Sequence, residues 1–130
     1  MKKLFLITFL LPIFLNANLL SDNCITYKNM KSVLLDGELI EVKGTRYWGH
    51  GEEIKYYIFR LNKEMCFDDG NGHISTDEIH VILNDEQYKN LNNLLDSKSK
   101  IQIEDFLWGG TQHWKRPIGV LKAKFIQNSG

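Results

Sequence analysis

The sequence lacks the motifs that announce a familiar catalytic chemistry. Its 130 residues contain no Cys-x-x-Cys, no His-Glu-x-x-His, no glycine-rich phosphate loop and no serine in a nucleophile elbow. The paired carboxylates Glu52-Glu53 and Asp68-Asp69 are adjacent in sequence, which is typical of a solvated loop rather than of an acid/base pair. These absences favour a non-enzymatic protein. The alternative, a small hydrolase or an inhibitor of one, has no residue with an assignable role.

Only one long apolar run is present, and it lies at the N-terminus. Lys2-Lys3 precedes an almost wholly apolar stretch from Leu4 to Leu15, and Ala17 offers a cleavage point. A spanning helix needs about 20 apolar residues, so this run is short for one. We therefore predict that residues 1–17 are a signal peptide and that the protein is periplasmic or secreted. The chain would contact the membrane only through this signal peptide, during export. An uncleaved anchor is the alternative.

The chain also lacks an excess of basic charge. It carries 16 Lys and Arg against 16 Asp and Glu, and no basic run exceeds Lys115-Arg116. Removal of residues 1–17 would take away two lysines and leave residues 18–130 mildly acidic, with 14 basic residues against 16 acidic ones. Domains that bind nucleic acid usually present a clearly basic face, so we predict no nucleic-acid partner. By length, residues 18–130 form a single domain.

Two cysteines, Cys24 and Cys66, remain in a chain predicted to reach an oxidising compartment. An even number of cysteines there indicates a disulfide bond. In the chain-entropy model, closing a loop of this length stabilises the folded state by about 4 kcal/mol. Two free thiols for redox or metal chemistry are the alternative.

Apolar alternation predicts five strands, and helical spacing predicts one helix. Asn84 to Gln87 fits a capping box, and the helix is expected to end near Asp96-Ser97. Gly37 lies inside the first strand, which predicts a bulge or sharp bend there. The five predicted strands cover residues 32–43, 55–62, 78–83, 101–108 and 118–126.

The predicted elements follow one another as β-β-β-α-β-β. A helix between strands three and four of a five-stranded chain is typical of an OB-type barrel. We therefore expect a mainly β fold with one helix, closed as a five-stranded OB-like barrel. A two-layer α+β sheet is the main alternative.

The acidic segment from Asp68 to Glu78 resembles a calcium loop in its spacing. On the twelve-residue template, Asp69, Asn71 and Glu78 fall at ligand positions 3, 5 and 12. The first ligand position, however, is occupied by Phe67, which has no oxygen to offer. We therefore predict a solvated acidic hairpin loop without a cofactor, and Ca²⁺ binding at this loop is the alternative.

Aromatic residues in the predicted loops and strand ends supply a candidate recognition surface. Such a cluster beside basic side chains could stack on a planar or sugar-like group and pair with an anion. The partner would be a small ligand or an envelope protein. Packing at the mouth of the barrel is the alternative role. The candidate residues are Tyr47, Trp48, Trp108, His113, Trp114 and Arg116.

Several short motifs occur in a fixed order along the chain. An early cysteine is followed by a Val-x-Leu-x-Gly-x-Leu strand, a Tyr-x-x-x-Leu strand and a second cysteine. An acidic loop, a helix, a Leu-aromatic strand end, a Thr-x-His turn and a Pro-aliphatic pair complete the series. In this sequence they are Cys24, Val33 to Leu39, Tyr57 to Leu61, Cys66, Asp68 to Glu78, Leu107-Trp108, Thr111 to Trp114, and Arg116-Pro117-Ile118.

This pattern resembles a family of short exported bacterial proteins catalogued only as a domain of unknown function. The resemblance covers nearly all of residues 18–130 and implies export, a disulfide and a small single domain. Two departures concern the last turn. Trp114 replaces a second histidine of the family pattern, which weakens a paired-histidine metal site, and Lys115 and Arg116 make the turn more basic. The family has no established activity, so the resemblance implies nothing about mechanism.

Overall fold

The computed structural model describes residues 15–16, 24–45, 51–95, 97–108 and 116–127. A 3-10 turn, Met30–Ser32, directly precedes the first long strand. Two short helices, α1 (Asp85–Lys89) and α2 (Leu91–Leu94), follow the third strand. The five long strands are β1 (Val33–Thr45), β2 (Glu53–Asp68), β3 (His73–Val81), β4 (Lys98–Trp108) and β5 (Ile118–Gln127).

The five strands close into a barrel. Their order around the sheet is β1-β2-β3-β5-β4, and β4 pairs back onto β1. All neighbours are antiparallel except β3 and β5, which run parallel through His80–Gly119 and Val81–Val120. This is a mainly β, closed, OB-like barrel, as the element order predicted. A two-layer α+β sheet is not what forms.

At Gly37, β1 is paired with two neighbouring strands at once. Its backbone is paired with Leu61 of β2 and with Ser99 of β4. A Cβ atom at Gly37 would lie 2.2 Å from the Arg60 carbonyl oxygen and 2.6 Å from the Phe59 ring. The predicted bend is therefore a site of close backbone approach, which only a residue without a side chain allows.

The β2–β3 hairpin is longer than the sequence pattern predicted. The predicted strands end at residue 62 and begin again at residue 78, but β2 continues to Asp68 and β3 begins at His73. The register shifts between Arg60 and Met65, and beyond the shift Met65 and Phe67 again face the core. This irregularity interrupts the simple alternation, which is why the predicted strand stopped too early.

The helical segment begins at the predicted capping box but consists of two short helices rather than one. The Asn84 side chain accepts a hydrogen bond from the Gln87 amide, and the Gln87 side chain accepts one from the Asn84 amide. The capping box is therefore confirmed. One continuous helix was expected, but α1 ends at Lys89 and α2 begins at Leu91, in a stretch rich in asparagine, a weak helix former. Leu94 of α2 is buried in the core, whereas Tyr88 of α1 is 50% exposed.

A disulfide bond joins Cys24 to Cys66, as predicted. Beside it, the Ile25 amide donates to the Cys66 carbonyl at 2.8 Å, and the Asp68 amide donates to the Ile25 carbonyl at 2.9 Å. These bonds hold Ile25 in the core, where its side chain is buried. The barrel core is formed by inward side chains of all five long strands, with Phe59, Phe67 and Phe106 among the largest buried groups.

One contact involves the predicted signal peptide. Leu15–Asn16 forms a two-residue parallel pairing with Val33–Leu34 at the start of β1. Removal of residues 1–17 would take this pairing away, and that removal stays a prediction. None of the helices among the described residues has the length and apolar character needed to cross a membrane.

Candidate functional site

Alternate residues of β2 and β3 point away from the barrel core and form a surface that we call the β2–β3 outer face. On β2 the inward residues are Tyr57, Phe59 and Leu61, so the intervening residues face outward. The strand register then places outward Arg60 opposite Glu78 and outward Ile58 opposite His80. The outer face is defined by Tyr56, Ile58, Arg60, Glu78 and His80, together with Arg116.

Glu78 is the charged centre of this face. Its Oε1 accepts a hydrogen bond from Arg116 Nε at 2.7 Å, and its Oε2 accepts one from Arg60 Nε at 3.2 Å. Arg116 lies just before β5, so this bond fastens the end of the β4–β5 connection onto β3. Glu38 of β1 lies opposite Arg60 in the strand register, so two arginines and two glutamates meet on this part of the sheet.

These contacts favour the carboxylate form of Glu78 and the cationic form of Arg116. The hydrogen bond from Arg116 is the main cause that lowers the pKa of Glu78; partial burial opposes it, and the hydrogen bond from Arg60 adds to it. Burial by itself lowers the pKa of Arg116, but hydrogen bonds with Glu78 and Tyr56 outweigh it, so that pKa is raised. The lowered pKa of Glu78 favours its carboxylate form, and the raised pKa of Arg116 favours its cationic form.

Two residues of the outer face near Glu78 are buried. Ile58 is fully buried and His80 is 5% exposed, although both face away from the barrel core. The Tyr56 ring contacts the His80 ring at a centroid distance of 5.4 Å. It also lies over Gly44 of β1, where a Cβ atom would come 2.8 Å from the ring. Gly44 thus provides the space that lets Tyr56 lie against the sheet.

The apolar surface continues past His80 to the end of β3. Ile82 and Leu121 are 46% and 41% exposed, and the Ile82 amide donates to the carbonyl of neighbouring Val120 at 3.0 Å. These two side chains extend the apolar part of the outer face beyond His80. The outer face therefore joins an aromatic and apolar part to a charged part that contains two arginines.

Of the six residues predicted for recognition, the structure describes Arg116 and Trp108, and the two have different partners. Arg116 reaches Glu78, whereas Trp108 is half-buried, packs against the barrel core and is paired with Ile118. Trp108 thus has a packing role in the described part of the chain. The other four predicted residues, Tyr47, Trp48, His113 and Trp114, lie outside the described residues.

Sequence reasoning missed Tyr56, Arg60 and His80. A signal was available, because Tyr56, Ile58 and Arg60 alternate with apolar residues in a strand that was recognised. Their outward direction could have been inferred from that alternation. Their contacts with Glu78 and Arg116 could not, because those depend on which strands are neighbours and in what register.

The predicted calcium ligands are divided between two places. Asp69 and Asn71 lie at the hairpin tip, where the Asp69 carboxylate accepts a hydrogen bond from the Asn71 amide at 2.9 Å. Glu78 is five residues beyond His73 on β3, on the order of 16 Å along an extended strand, and is held by two arginines. Within the described ranges, no group of three or more His, Cys, Asp or Glu residues could hold a metal ion.

Comparison of this chain with protein-family models, with curated proteins and with solved structures finds no match. The resemblance to a family of short exported proteins therefore stays a prediction. The candidate site depends on the geometry of the outer face alone.

Proposed function

We propose that this protein is a non-enzymatic binding module of the cell envelope, and that the β2–β3 outer face recognises a ligand or protein partner. The observation that carries the proposal is Glu78, which holds Arg60 and Arg116 beside the Tyr56–His80 pair. Two fixed guanidinium groups next to an aromatic ring suit a partner that presents an anion beside a planar or sugar-like group.

The position of this face within the barrel supports the same proposal. OB-type barrels bind their ligands on the face of strands two and three, flanked by the loops after strands one and four. In this sequence those connections contain Tyr47 and Trp48, and His113 and Trp114. The predicted aromatic residues therefore belong to the two connections that this type of barrel uses for binding.

The disulfide is compatible with an oxidising, extracytoplasmic location. We infer that residues 1–17 are removed during export and that residues 18–130 act in the periplasm or outside the cell. The mildly acidic charge of residues 18–130 supports a partner other than nucleic acid. A small ligand or an envelope protein fits these properties.

Chemical-shift mapping tests the proposal directly. The oxidised, isotope-labelled protein would be titrated with a panel of envelope glycans and purified envelope proteins. We expect the backbone amides of Tyr56, Arg60, Glu78 and His80 to shift together for at least one member of the panel. Shifts confined to other surfaces, or no shifts with any member, would contradict the proposed binding face.

The calcium hypothesis requires its own experiment. Calorimetry with Ca²⁺ should show binding that Asp69→Ala and Glu78→Ala both abolish if these residues share an ion. Asp69→Ala is the more informative variant, because Glu78→Ala also removes the partner of two arginines. Absence of heat at millimolar Ca²⁺ would end this alternative.

A further inference from the structure

The tip of the β2–β3 hairpin contains the one asparagine that directly precedes a glycine in this sequence. Asn71 and Gly72 lie between the two strands, and both are exposed. The side chain of an asparagine can be attacked by the backbone nitrogen of the residue that follows it. Glycine favours that attack, because it has no Cβ atom to obstruct the approach and its backbone adopts many conformations.

The turn leaves the Gly72 nitrogen available for this reaction. The Gly72 carbonyl accepts a hydrogen bond from the Asp69 amide at 3.3 Å, and the Asn71 amide donates one to the Asp69 carboxylate at 2.9 Å. Among the described residues, no group accepts a hydrogen bond from the Gly72 amide. A Cβ atom at Gly72 would meet nothing within 4 Å. The Asn71 side chain can therefore approach this nitrogen without breaking a hydrogen bond.

Two Asp-Gly pairs could close the same five-membered ring, but the structure holds their glycines differently. Gly37 of the Asp36-Gly37 pair is buried, and its backbone is paired with β2 on one side and β4 on the other. In the Asp69-Gly70 pair, the Gly70 amide donates a hydrogen bond to the Asp68 carboxylate at 2.7 Å. Of the three pairs, Asn71-Gly72 alone combines exposure with a glycine nitrogen that no described group accepts from.

We propose that Asn71 is a site of spontaneous deamidation in the folded protein. The Gly72 nitrogen gives up its proton to solvent and bonds to Asn71 Cγ. The bond from Cγ to the side-chain nitrogen then breaks, and that nitrogen takes a proton from solvent and leaves as ammonia. Water opens the resulting succinimide ring at either carbonyl, which yields aspartate or isoaspartate. The only co-reactant is water, and no electrons are exchanged.

The reaction changes the charge and the backbone of the hairpin tip. It adds a carboxylate beside Asp68 and Asp69, and the isoaspartate form inserts a methylene group into the main chain. Asp68 and Asp69 also line a cavity of about 320 Å³ together with Tyr27, so the charge near this cavity would change with time. The tip is separate from the β2–β3 outer face, and either proposal can fail alone.

The test is incubation of the oxidised protein over several weeks at neutral and mildly alkaline pH, followed by reduction, tryptic digestion and mass spectrometry. Deamidation should raise the mass of the peptide that contains Asn71 by one mass unit, and chromatography should separate its aspartate and isoaspartate forms. The rate should rise with pH, because the attacking nitrogen must lose a proton. Asn84 lies in the same tryptic peptide and should stay unmodified, because its side chain accepts the capping hydrogen bond from Gln87.

Two variants separate ring closure from direct hydrolysis of the side chain. Gly72→Ala places a methyl group beside the attacking nitrogen in otherwise open space, so it should keep the fold and slow the reaction about tenfold. Asn71→Gln should show no modification over the same period, because its longer side chain would have to close a six-membered ring. Thermal unfolding checks that both variants fold, and the products of the unaltered protein decide the matter if either does not.

Four results would overturn the proposal. These are an Asn71 that stays unmodified throughout the incubation, a Gly72→Ala variant that reacts as fast as the unaltered protein, aspartate as the sole product, or equal rates at Asn71 and Asn84. The third would assign the change to direct hydrolysis, and the fourth would show that the hairpin tip confers no preference.

Discussion

The two faces of the β2–β3 hairpin are separated by a single step along each strand, yet they have different roles. On the inner face, Phe59 and Ile79 are directly opposite each other and fully buried. On the outer face, the next pair is Arg60 and Glu78, and half of the Arg60 side chain is exposed. Adjacent residues thus divide the hairpin into a side that lines the barrel core and a side that carries the Arg60–Glu78 ion pair.

Different interactions hold the residues of each face. Burial of apolar surface is the main interaction of the inner residues, with the hydrogen bond from Tyr57 to Glu41 added at its margin. The outer residues are held by specific pairs across strands, such as Glu78 with Arg116. Substitutions on the inner face should therefore change folding, and those on the outer face should change binding.

The largest expected effect is that of Phe59→Ala. Removing a fully buried aromatic ring leaves a cavity, and the free energy of unfolding should fall by about 3–5 kcal/mol. Arg60→Ala, one residue away, should cost no more than about 1 kcal/mol, because its ion pair is half exposed. Urea unfolding followed by circular dichroism measures both. Equal losses would show that the two faces are not divided as described.

Gly37→Ala should come next. The added methyl group would meet the Arg60 carbonyl and the Phe59 ring, so overpacking should cost about 1–3 kcal/mol. Gly72→Ala is the matched control, because a Cβ atom there meets nothing within 4 Å and its stability should change by less than about 0.5 kcal/mol. The same urea titration applies. A Gly37→Ala variant as stable as Gly72→Ala would refute the close approach.

Glu78→Gln should show a smaller effect that depends on pH. The folded-state pKa of Glu78 is lowered, so its ionic contribution is present above the unfolded value of about 4.3 and is lost as pH falls through the folded value. The variant should be less stable by about 1 kcal/mol at pH 7. Unfolding measured from pH 7 down to strongly acidic pH should show this difference disappearing. A difference that stays constant would argue against the ion pairs.

Tyr57→Phe is the inner-face counterpart of Glu78→Gln and should have the smallest effect on the free energy of unfolding. Burial, followed by a hydrogen bond to Glu41 at 3.1 Å, raises the pKa of Tyr57 to about 12. The stability that follows from this shift is complete below the unfolded value of about 10 and is lost as pH rises from about 10 to 12. The variant should lose about 0.5 kcal/mol at pH 8 and should lack this alkaline decline. An identical decline in both proteins would assign it to other groups.

Much of the fold was predictable because its signals are local. The capping box at Asn84 and Gln87 needs only four residues, and the strand alternation around Leu35 and Leu39 needs only one strand. The disulfide followed from an even number of cysteines in a chain expected to leave the cytoplasm. The hairpin bounds were missed because the register shift after Arg60 breaks the two-residue period.

The candidate site was less predictable because its contacts are distant in sequence. Arg116 and Glu78 are 38 residues apart, and no motif near either residue predicts that the two form an ion pair. Tyr56 meets His80 only because β2 and β3 are neighbours in a particular register. Position-by-position reasoning therefore found Arg116 as an isolated candidate and assigned Glu78 to a calcium loop.

Recognition through the β2–β3 outer face is tested most directly by two substitutions on β2 in a binding assay. Arg60→Gln and Lys55→Gln each remove one cation that pairs with one glutamate, but Arg60 lies on the outer face and Lys55 on the opposite one. With any partner found by shift mapping, calorimetry should give an affinity at least fivefold weaker for Arg60→Gln and unchanged for Lys55→Gln. Equal affinities for the two variants would contradict recognition through this face.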